Sequence, residues 1–434
     1  MPCCQDLGGV DIVSLVVTPI DSFRRLTQVF DPIYRPALGR QVGAGVAYVE
    51  AVHEDLRKQF EAQLLLNDRA KLLLAGQPGC GKTTMLMHLT SQLRAEGRLV
   101  AFVDLEVVTT VHDLGSAEMY IAASAELLRE AGRMEIALPQ ATVHRCKQWV
   151  ESLTDGSSIS PEPVALAERF IRLLAAARES PDLRRMLREV LKQGQDPADL
   201  LATLLDDLES YRPVVLLDGL DKLPPDQARD FFLDQKKKPM AELPGAAILT
   251  IPLTMVYEPT FNVLSERYNN ADNSVLPAVR LYDFNHKDRT RAPLKSGFDM
   301  LRHVIGRRVQ GIDPGLILPD AIDRAIEGSG GNIRELGRLI QSSIVKAVVR
   351  QGSFVERVDV ENAIIDQRES FRRAYQPRFL PVLKKVRDQL QLDNTDDVGK
   401  LLLYGLWVME YRNGMAWYCL PVPVEQLLQH LERG

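Results

Sequence analysis

Residues Leu72 to Thr84 read L-L-L-A-G-Q-P-G-C-G-K-T-T, and this stretch decides the fold of a chain of 434 residues. The apolar run at its start predicts a buried β-strand. The residues after it match the spacing G-x-x-x-x-G-K-T in full, and an apolar-periodic helix pattern follows them. A strand, a glycine-rich loop and a helix in this order point successive backbone N–H groups at an anion. The stretch therefore predicts a loop that binds the phosphates of a nucleoside triphosphate.

Each residue type in this loop has a mechanical purpose. The glycines let the backbone turn tightly and approach the phosphates closely. Lys82 would reach the β- and γ-phosphates, and the hydroxyl of Thr83 would coordinate Mg²⁺. The predicted nucleotide-binding residues are Gly76, Gln77, Pro78, Gly79, Cys80, Gly81, Lys82, Thr83 and Thr84. Thr84 continues the helix, and no separate chemical role is assigned to it.

A second motif supplies the acid that a metal site needs. Residues 214–223 read V-V-L-L-D-G-L-D-K-L, a buried strand that ends in a carboxylate. An acid at the end of the strand beside the phosphate-loop strand is where Mg²⁺ is held, and Asp218 fits that role. Asp221 could polarise the attacking water, or it could simply cap the turn that follows the strand.

A polar residue also ends the fourth predicted strand, in the sequence Thr250-Ile251-Pro252. Its hydroxyl could reach the γ-phosphate or position the attacking water. The alternative is that Thr250 is only a β-branched residue suited to a strand, and both interpretations stay open.

A glycine-rich break later in the chain places an arginine at a helix start. Residues 329–336 read S-G-G-N-I-R-E-L, in which the glycines end one helix and Asn332 can cap the next. Arg334 then lies in the first helical turn, where a cation opposes the helix dipole, and a small cost of that kind can mark a functional residue. Arg334 could report on the γ-phosphate from a lid, or it could be a surface arginine paired with a nearby carboxylate.

Composition excludes several classes of protein. Hydrophobic residues are 45% and charged residues 26% of the chain, as in ordinary globular proteins, and a net charge of -5 provides no global basic field for nucleic acid. No apolar run approaches the length of a membrane span, and the apolar stretch Leu7–Ile20 is interrupted by Asp11 and lacks the basic start of a signal peptide. Five cysteines show no metal-ligand spacing. We therefore expect a cytoplasmic protein with reduced thiols and no membrane partner.

Strands alternate with helices along most of the chain, which predicts an α/β protein whose parallel sheet is covered on both faces. The five predicted strands are 71–75, 99–105, 214–218, 246–251 and one within 275–284. A long helical insertion at about 112–211 separates the second strand from the third. The predicted organisation is an irregular N-terminal arm at 1–45, a core at 46–290, a helical lid at 291–376 and a C-terminal unit at 377–434.

The C-terminal unit has a pattern of its own. Asn413-Gly414 lies between two aromatic, β-rich runs, which is the strongest short signal for a β-hairpin. Short helices are predicted at 383–392 and 398–404 before the hairpin and at 424–431 after it. This order of elements suggests a winged-helix unit.

Taken in order, the phosphate loop, D-G-L-D-K, T-I-P and G-G-N-I-R-E-L resemble the AAA+ ATPases over roughly 45–370. The chain looks most like the initiator and origin-recognition branch and the STAND signalling ATPases. The resemblance implies ATP and Mg²⁺ as ligands, a P-loop parallel sheet of order 5-1-4-3-2 and a helical lid at 296–370. It also implies site roles: Lys82 and Thr83 in Walker A, Asp218 as the Walker B acid, Thr250 as sensor 1 and Arg334 as sensor 2.

Two features depart from most AAA+ members. Gly219 follows Asp218 where most members have glutamate, and D-G-L-D is nearer to the NACHT type of STAND ATPase, in which the later acid assists hydrolysis. The long helical insertion is also unlike a compact unfolding motor. The resemblance therefore implies slow turnover and a switch rather than a motor.

The resemblance carries three further expectations. An arginine finger is expected after the fourth strand, where Arg267 is the candidate for action on a neighbouring subunit. Adenine contacts are expected from backbone groups near Ile33 and Tyr34. The chain is also similar to bacterial ATPases found near defence and mobile-element genes.

Three functions remain open at the level of sequence. The first is an ATP-switched factor that assembles a homo-oligomer or a partner complex. The second is a DNA-binding initiator or transposition-type regulator that uses a basic segment between residues 368 and 387. The third is a scaffold that holds nucleotide structurally, with Trp407, Trp417 and Tyr418 either anchoring a partner or forming the core of the C-terminal unit. The basic residues of the segment are Arg368, Arg372, Arg373, Arg378, Lys384, Lys385 and Arg387.

Overall fold

The computed structural model describes residues 19–30, 49–108, 115–151, 160–185, 196–233, 242–259, 261–269, 274–285, 290–310, 312–393 and 397–433. A parallel sheet of five strands lies at its centre: β1 (Lys71–Gly76), β2 (Val100–Asp104), β3 (Val214–Asp218), β4 (Ala246–Thr250) and β5 (Val275–Leu276). The strands are arranged β2-β3-β4-β1-β5. This is the predicted order 5-1-4-3-2 counted from the other edge, so the predicted P-loop α/β sheet is confirmed.

Both faces of the sheet are buried because side chains alternate between two apolar clusters. On one face, Leu72, Leu74 and Leu216 pack against the helices α2 (Glu54–Leu66) and α3 (Lys82–Ala95). On the other face, Leu73 and Leu217 pack into a larger cluster shared with the helical insertion. The middle of each of the four longer strands is therefore apolar, and the polar residues that end β2, β3 and β4 gather at the carboxyl edge of the sheet.

The predicted insertion between β2 and β3 is helical. It contains α4 (Leu105–Val108), α5 (Ser116–Arg133), α6 (Gln140–Glu151), α7 (Pro163–Glu179) and α8 (Pro197–Asp207). The helix predicted at Asp196-Pro197 starts as expected, since the Asp196 carboxylate accepts a 2.9 Å hydrogen bond from the backbone N–H of Ala198. Leu127, Phe170 and Leu201 are buried in the cluster that covers the sheet, so the insertion is part of the core.

The connection from the core to the lid is more structured than the sequence suggests. Three short helices flank β4: α9 (Pro225–Leu233), α10 (Leu253–Val256) and α11 (Phe261–Ser265). After β5, an antiparallel hairpin of β6 (Tyr282–Asn285) and β7 (Thr290–Pro293) spans the predicted boundary at 290–291. The polar sequence of this segment hides the hairpin, which is held by Phe284 packing on Trp417 with ring centroids 5.3 Å apart.

The lid consists of four helices with a core of their own. They are α12 (Lys295–Arg308), α13 (Pro319–Ser329), α14 (Ile333–Val349) and α15 (Arg357–Ala374). Gly330, with φ 58°, ends α13, and Asn332 caps α14 as predicted by accepting hydrogen bonds from the backbone N–H groups of Arg334 and Glu335.

The prediction of an irregular N-terminal arm is wrong where the structure describes it. Pro19–Val29 forms the helix α1, which begins with the proline that opens many helices. Phe23, Leu26 and Phe30 are buried in the core of the lid, and Arg308 donates a 3.2 Å hydrogen bond to the carbonyl of Val29. The arm therefore packs as an added helix of the lid. Ile33 and Tyr34 lie outside the described residues.

The C-terminal unit has the predicted order of elements. It contains α16 (Leu380–Gln389), α17 (Asp397–Tyr404), β8 (Met409–Asn413), β9 (Met415–Cys419) and α18 (Val422–Arg433). Trp407, Trp417 and Tyr418 are 6%, 1% and 5% exposed, so they form cores and do not present a partner anchor. Tyr411 stacks on Trp417, and its hydroxyl donates to the carbonyl of Gly330 in the lid at 2.6 Å. The assignment as a winged helix stays a prediction. Among the described residues, no helix is long and apolar enough to cross a membrane.

The bond from Tyr411 to Gly330 ties the hairpin to the lid, and Tyr411→Phe removes it while keeping the ring. We expect the free energy of unfolding to fall by about 1–2 kcal/mol, because a buried carbonyl loses its donor. Chemical denaturation followed by circular dichroism measures the change. The control is Tyr211→Phe at a side chain that is 38% exposed, and a similar loss in both variants would contradict the prediction.

Candidate nucleotide-binding site

The phosphate loop has the left-handed backbone that its glycines predict. Gly79 and Gly81 have φ values of 87° and 102°, which other residues rarely adopt. A Cβ atom on Gly79 would lie 2.5 Å from the Cβ of Arg334, and one on Gly81 would lie 2.4 Å from Nε2 of His53. The loop is therefore packed closely between the segment before α2 and the start of α14.

Lys82 is buried at the centre of the site. Its ammonium donates to the carbonyls of Gly76 at 2.8 Å and Gln77 at 3.2 Å, and it lies 2.9 Å from Oδ2 of Asp221. Burial is the largest single effect and would lower the pKa of Lys82, but the charges of Asp221, Cys80 and Asp218 and the hydrogen bond to Asp221 together hold the pKa above its usual value. Lys82 is therefore protonated and suited to bind phosphate oxygens.

Thr83 and Asp218 meet as a metal site requires. The Thr83 hydroxyl donates to Oδ2 of Asp218 at 2.6 Å. Burial, followed by the nearby charge of Asp221, raises the pKa of Asp218 to about 6. A hydroxyl and one or two carboxylates, completed by phosphate and water, are the ligands that Mg²⁺ uses in such sites. The residues present therefore fit Mg²⁺: Thr83 and Asp218 would hold the ion, which would neutralise phosphate charge.

Further polar residues lie near Asp218 at the carboxyl ends of the neighbouring strands β2 and β4. Asp104 ends β2 and is paired in register with Asp218, so three carboxylates, including Asp221, converge near the loop. The hydroxyl of Thr250 is fully buried, donates to the carbonyl of Leu217 and accepts from the N–H of Leu220. This bonding shapes the turn that carries Asp221, which agrees better with an indirect role for Thr250 than with direct phosphate contact.

The start of the lid helix α14 lies directly against the phosphate loop. The side-chain amide of Asn332 donates to the carbonyl of Pro78 at 2.8 Å, and the backbone N–H of Arg334 donates to the carbonyl of Gly79 at 3.2 Å. The Arg334 side chain is half-buried, and none of the ion pairs recorded for the described residues includes it. Arg334 is therefore next to the phosphate loop.

Arg267 lies away from this cluster. It follows α11, and Asn269, two residues further on, bonds to the backbone of Lys71 at the amino end of β1. The phosphate loop leaves β1 at the opposite end. Arg267 therefore contacts no part of its own loop, and a finger role would require a second copy of the chain.

Sequence reasoning missed His53, and it predicted Gln77 as a nucleotide-binding residue without its contact to the C-terminal unit. Gln77 is 2% exposed, and its side chain bonds to the C-terminal unit through the carbonyls of Leu403 and Val408 and the N–H of Glu410. Nε2 of His53 is 3.2 Å from the carbonyl of Cys80, and burial lowers the pKa of His53 to about 4. Neither contact has a local sequence signal, because the partners are 27 or more residues away in the chain.

The predicted basic segment is partly neutralised by four neighbouring carboxylates. Five of its seven cations form ion pairs: Arg368 and Arg372 with Glu369, Lys384 with Glu432, Lys385 with Asp393, and Arg387 with Asp388 and Glu432. The side chains of Arg373 and Arg378 bond to a carbonyl and an amide oxygen. The segment therefore offers less unpaired positive charge than its sequence suggests.

Comparison with known proteins gives similarity of structure only. No family model and no curated protein sequence matches the chain. Cdc6p from Pyrobaculum aerophilum is 12% identical with a TM-score of 0.41 and covers 93% of this chain and 98% of its own. The ORC2 protein of Aeropyrum pernix, as ADPNP–ADP complexes, is 12% identical with a TM-score of 0.41, and the match covers 94% of this chain and 98% of that one. The RuvB branch migration motor of Thermotoga maritima is 12% identical with a TM-score of 0.36, and the match covers 92% of this chain and 98% of that one. At these values, no ligand, activity or partner is transferred to this chain.

His53 should make folding stability depend on pH. Its pKa is about 4 in the fold against 6.5 for an exposed histidine, so the unfolded chain binds more protons and stability is lost as pH falls from 6.5 towards 4. Between pH 7.5 and 5 this residue should cost about 2 kcal/mol. His53→Gln keeps a donor for Cys80 without a titrating ring. Urea unfolding at both pH values measures the difference, and an equal pH dependence of the two proteins would contradict the prediction.

Proposed function

We propose that this protein is an ATP-binding and ATP-hydrolysing switch that controls the assembly of an oligomer or a partner complex. The observation that carries the proposal is the contact between Lys82, Asp221, Thr83 and Asp218 at the carboxyl edge of the sheet. These residues come from two motifs, Thr83 and Asp218 being 135 positions apart in the chain, and their contact supports a role in phosphoryl transfer.

Each residue has a defined task in the proposed reaction. The loop N–H groups and Lys82 hold the β- and γ-phosphates, while Thr83 and Asp218 hold Mg²⁺. Asp221 accepts a proton from the attacking water, with the turn that carries it fixed by Thr250. Arg334 approaches the γ-phosphate from the lid and couples nucleotide binding to lid position.

Slow turnover follows from the position of Asp221. Its carboxylate is engaged by Lys82 at 2.9 Å, so it can act as a base only after the ammonium has turned to phosphate. Gly219 stands beside Asp218 and provides no second acid at that point. Hydrolysis therefore depends on rearrangement of the site, which suits a switch better than a motor.

Two finer proposals rest on the sequence resemblance alone. Membership of the STAND branch and a place near defence genes both remain predictions. Regulation through DNA is the second candidate function, but the ion pairs within the basic segment weigh against it. A DNA-binding version of this protein would have to exchange those carboxylates for phosphates.

Substitutions at the centre of the site separate binding from hydrolysis. Lys82→Ala should weaken Mg²⁺–ATP binding by at least about tenfold, because a charge-assisted contact is lost. Asp221→Asn should keep ATP binding and lower steady-state hydrolysis by about 100-fold, the size of a general-base contribution. Calorimetry and phosphate release measure the two effects.

The control for these variants is Lys58→Ala, which removes an exposed lysine paired with Glu54 on α2. It should leave both binding and hydrolysis unchanged. Wild-type protein that binds no ATP in the presence of Mg²⁺ would refute the proposed function. Full hydrolysis by Asp221→Asn would refute the role of Asp221 alone.

Arg267 should act only between copies of the chain. Arg267→Ala should lower hydrolysis without weakening ATP binding, and the specific activity of the wild type should rise with protein concentration. Mixing Arg267→Ala with Asp221→Asn should restore activity, because the first supplies an intact site and the second an intact finger. Arg24→Ala, at an exposed ion pair on α1, is the control. Activity that is independent of concentration, with no restoration in the mixture, would exclude this role.

A further inference from the structure

A small cavity beside the phosphate loop is closed by the C-terminal unit. Its core wall includes Gly76 and Pro78 of the loop and Asp221, and its outer wall includes Lys400 and Tyr404 of α17. Gly76 and Asp221 are also partners of the Lys82 ammonium. The cavity therefore adjoins the atom that would hold the β- and γ-phosphates, and a second lysine lies on its far side.

The Lys400 side chain is held by an ion pair that it can leave. Nζ of Lys400 lies 2.7 Å from Oε1 of Glu258, and the two side chains are 14% and 17% exposed. Glu258 also binds Arg229 at 3.1 Å. Loss of Lys400 would therefore leave Glu258 with a cation, which avoids the cost of an unpaired and partly buried charge.

The position of α17 relative to the loop is fixed by Gln77. Its amide nitrogen donates to the carbonyls of Leu403 at 3.0 Å and Val408 at 2.7 Å, and its oxygen accepts from the N–H of Glu410 at 2.9 Å. Leu403 is one turn from Lys400 on the same helix, since residues three apart are neighbours on a helix surface. The three hydrogen bonds of the buried Gln77 side chain therefore fix the position of Lys400 relative to the phosphate loop.

We propose that Lys400 is a ligand of the terminal phosphate of a bound nucleoside triphosphate, supplied by the C-terminal unit of the same chain. The inference rests on the proposed function and extends it to the choice between tri- and diphosphate. The γ-phosphate brings negative charge to the side of Lys82 that faces the cavity, and Lys400 exchanges Glu258 for it. A nucleoside diphosphate has no γ-phosphate, so Lys400 keeps its ion pair with Glu258 when the diphosphate is bound. The C-terminal unit thus responds to the presence of the third phosphate.

The test compares the affinities for a non-hydrolysable ATP analogue and for ADP, each with Mg²⁺, by calorimetry on the full chain. Lys400→Met should weaken analogue binding by about tenfold and change ADP binding by less than about twofold. Lys400→Arg should retain most of the preference for the triphosphate. The matched control is Lys346→Met, which removes a lysine paired with Asp366 in the lid at 2.6 Å and should change neither affinity.

The variant Glu258→Gln tests the same ion pair from its other side and checks whether loss of the pair disturbs folding. It frees Lys400 without removing it, so analogue affinity should stay the same or rise. A loss like that of Lys400→Met would mean that the ion pair is only structural and would overturn the proposal. Equal effects of Lys400→Met on both nucleotides, or no effect, would also overturn it. Wild-type protein that binds neither nucleotide would instead refute the proposed function.

Discussion

A phosphate loop that turns its N–H groups towards an anion must turn its carbonyls outwards, and those carbonyls need donors. In this chain, different elements supply them: Lys82 for Gly76 and Gln77, Asn332 for Pro78, the backbone of Arg334 for Gly79, and His53 for Cys80. The satisfaction of buried carbonyls therefore joins the segment before α2, the lid and the loop into one structure. Any movement of the lid away from the loop has to break or replace the bonds that Asn332 and Arg334 donate to the loop.

The charges at the sheet edge impose a second constraint. Burial, followed by the nearby charge of Asp221, disfavours ionisation of Asp218, and Lys82 compensates only in part, so the pKa of Asp218 is raised to about 6. A divalent cation would relieve this repulsion. This crowding is costly for the folded protein, and it supports the proposed binding of a metal-bound nucleotide.

The parts of the fold that depend on local pattern could be predicted from the sequence. The apolar runs located β1 to β4, Asn332 and Asp196 marked helix starts, and the resemblance supplied the sheet order. Contacts between distant segments could not be predicted in this way. Nothing near Gln77 indicates that its amide will meet α17 and β8, and nothing near Phe23 indicates that α1 will enter the lid, because both outcomes depend on which surface is left uncovered after folding. The ion pairs of the basic segment at 368–387 could not be predicted for the same reason, since some of its acidic partners are placed by tertiary structure.

The burial of Gln77 also limits how this chain could have evolved. A C-terminal domain attached by a free linker can be exchanged for another by recombination, and the catalytic core is unaffected. Here an exchange would leave the amide of residue 77 buried without its three backbone partners, inside the loop itself. A replacement C-terminal unit would therefore have to present two carbonyls and one N–H group to the amide of residue 77 in the same positions.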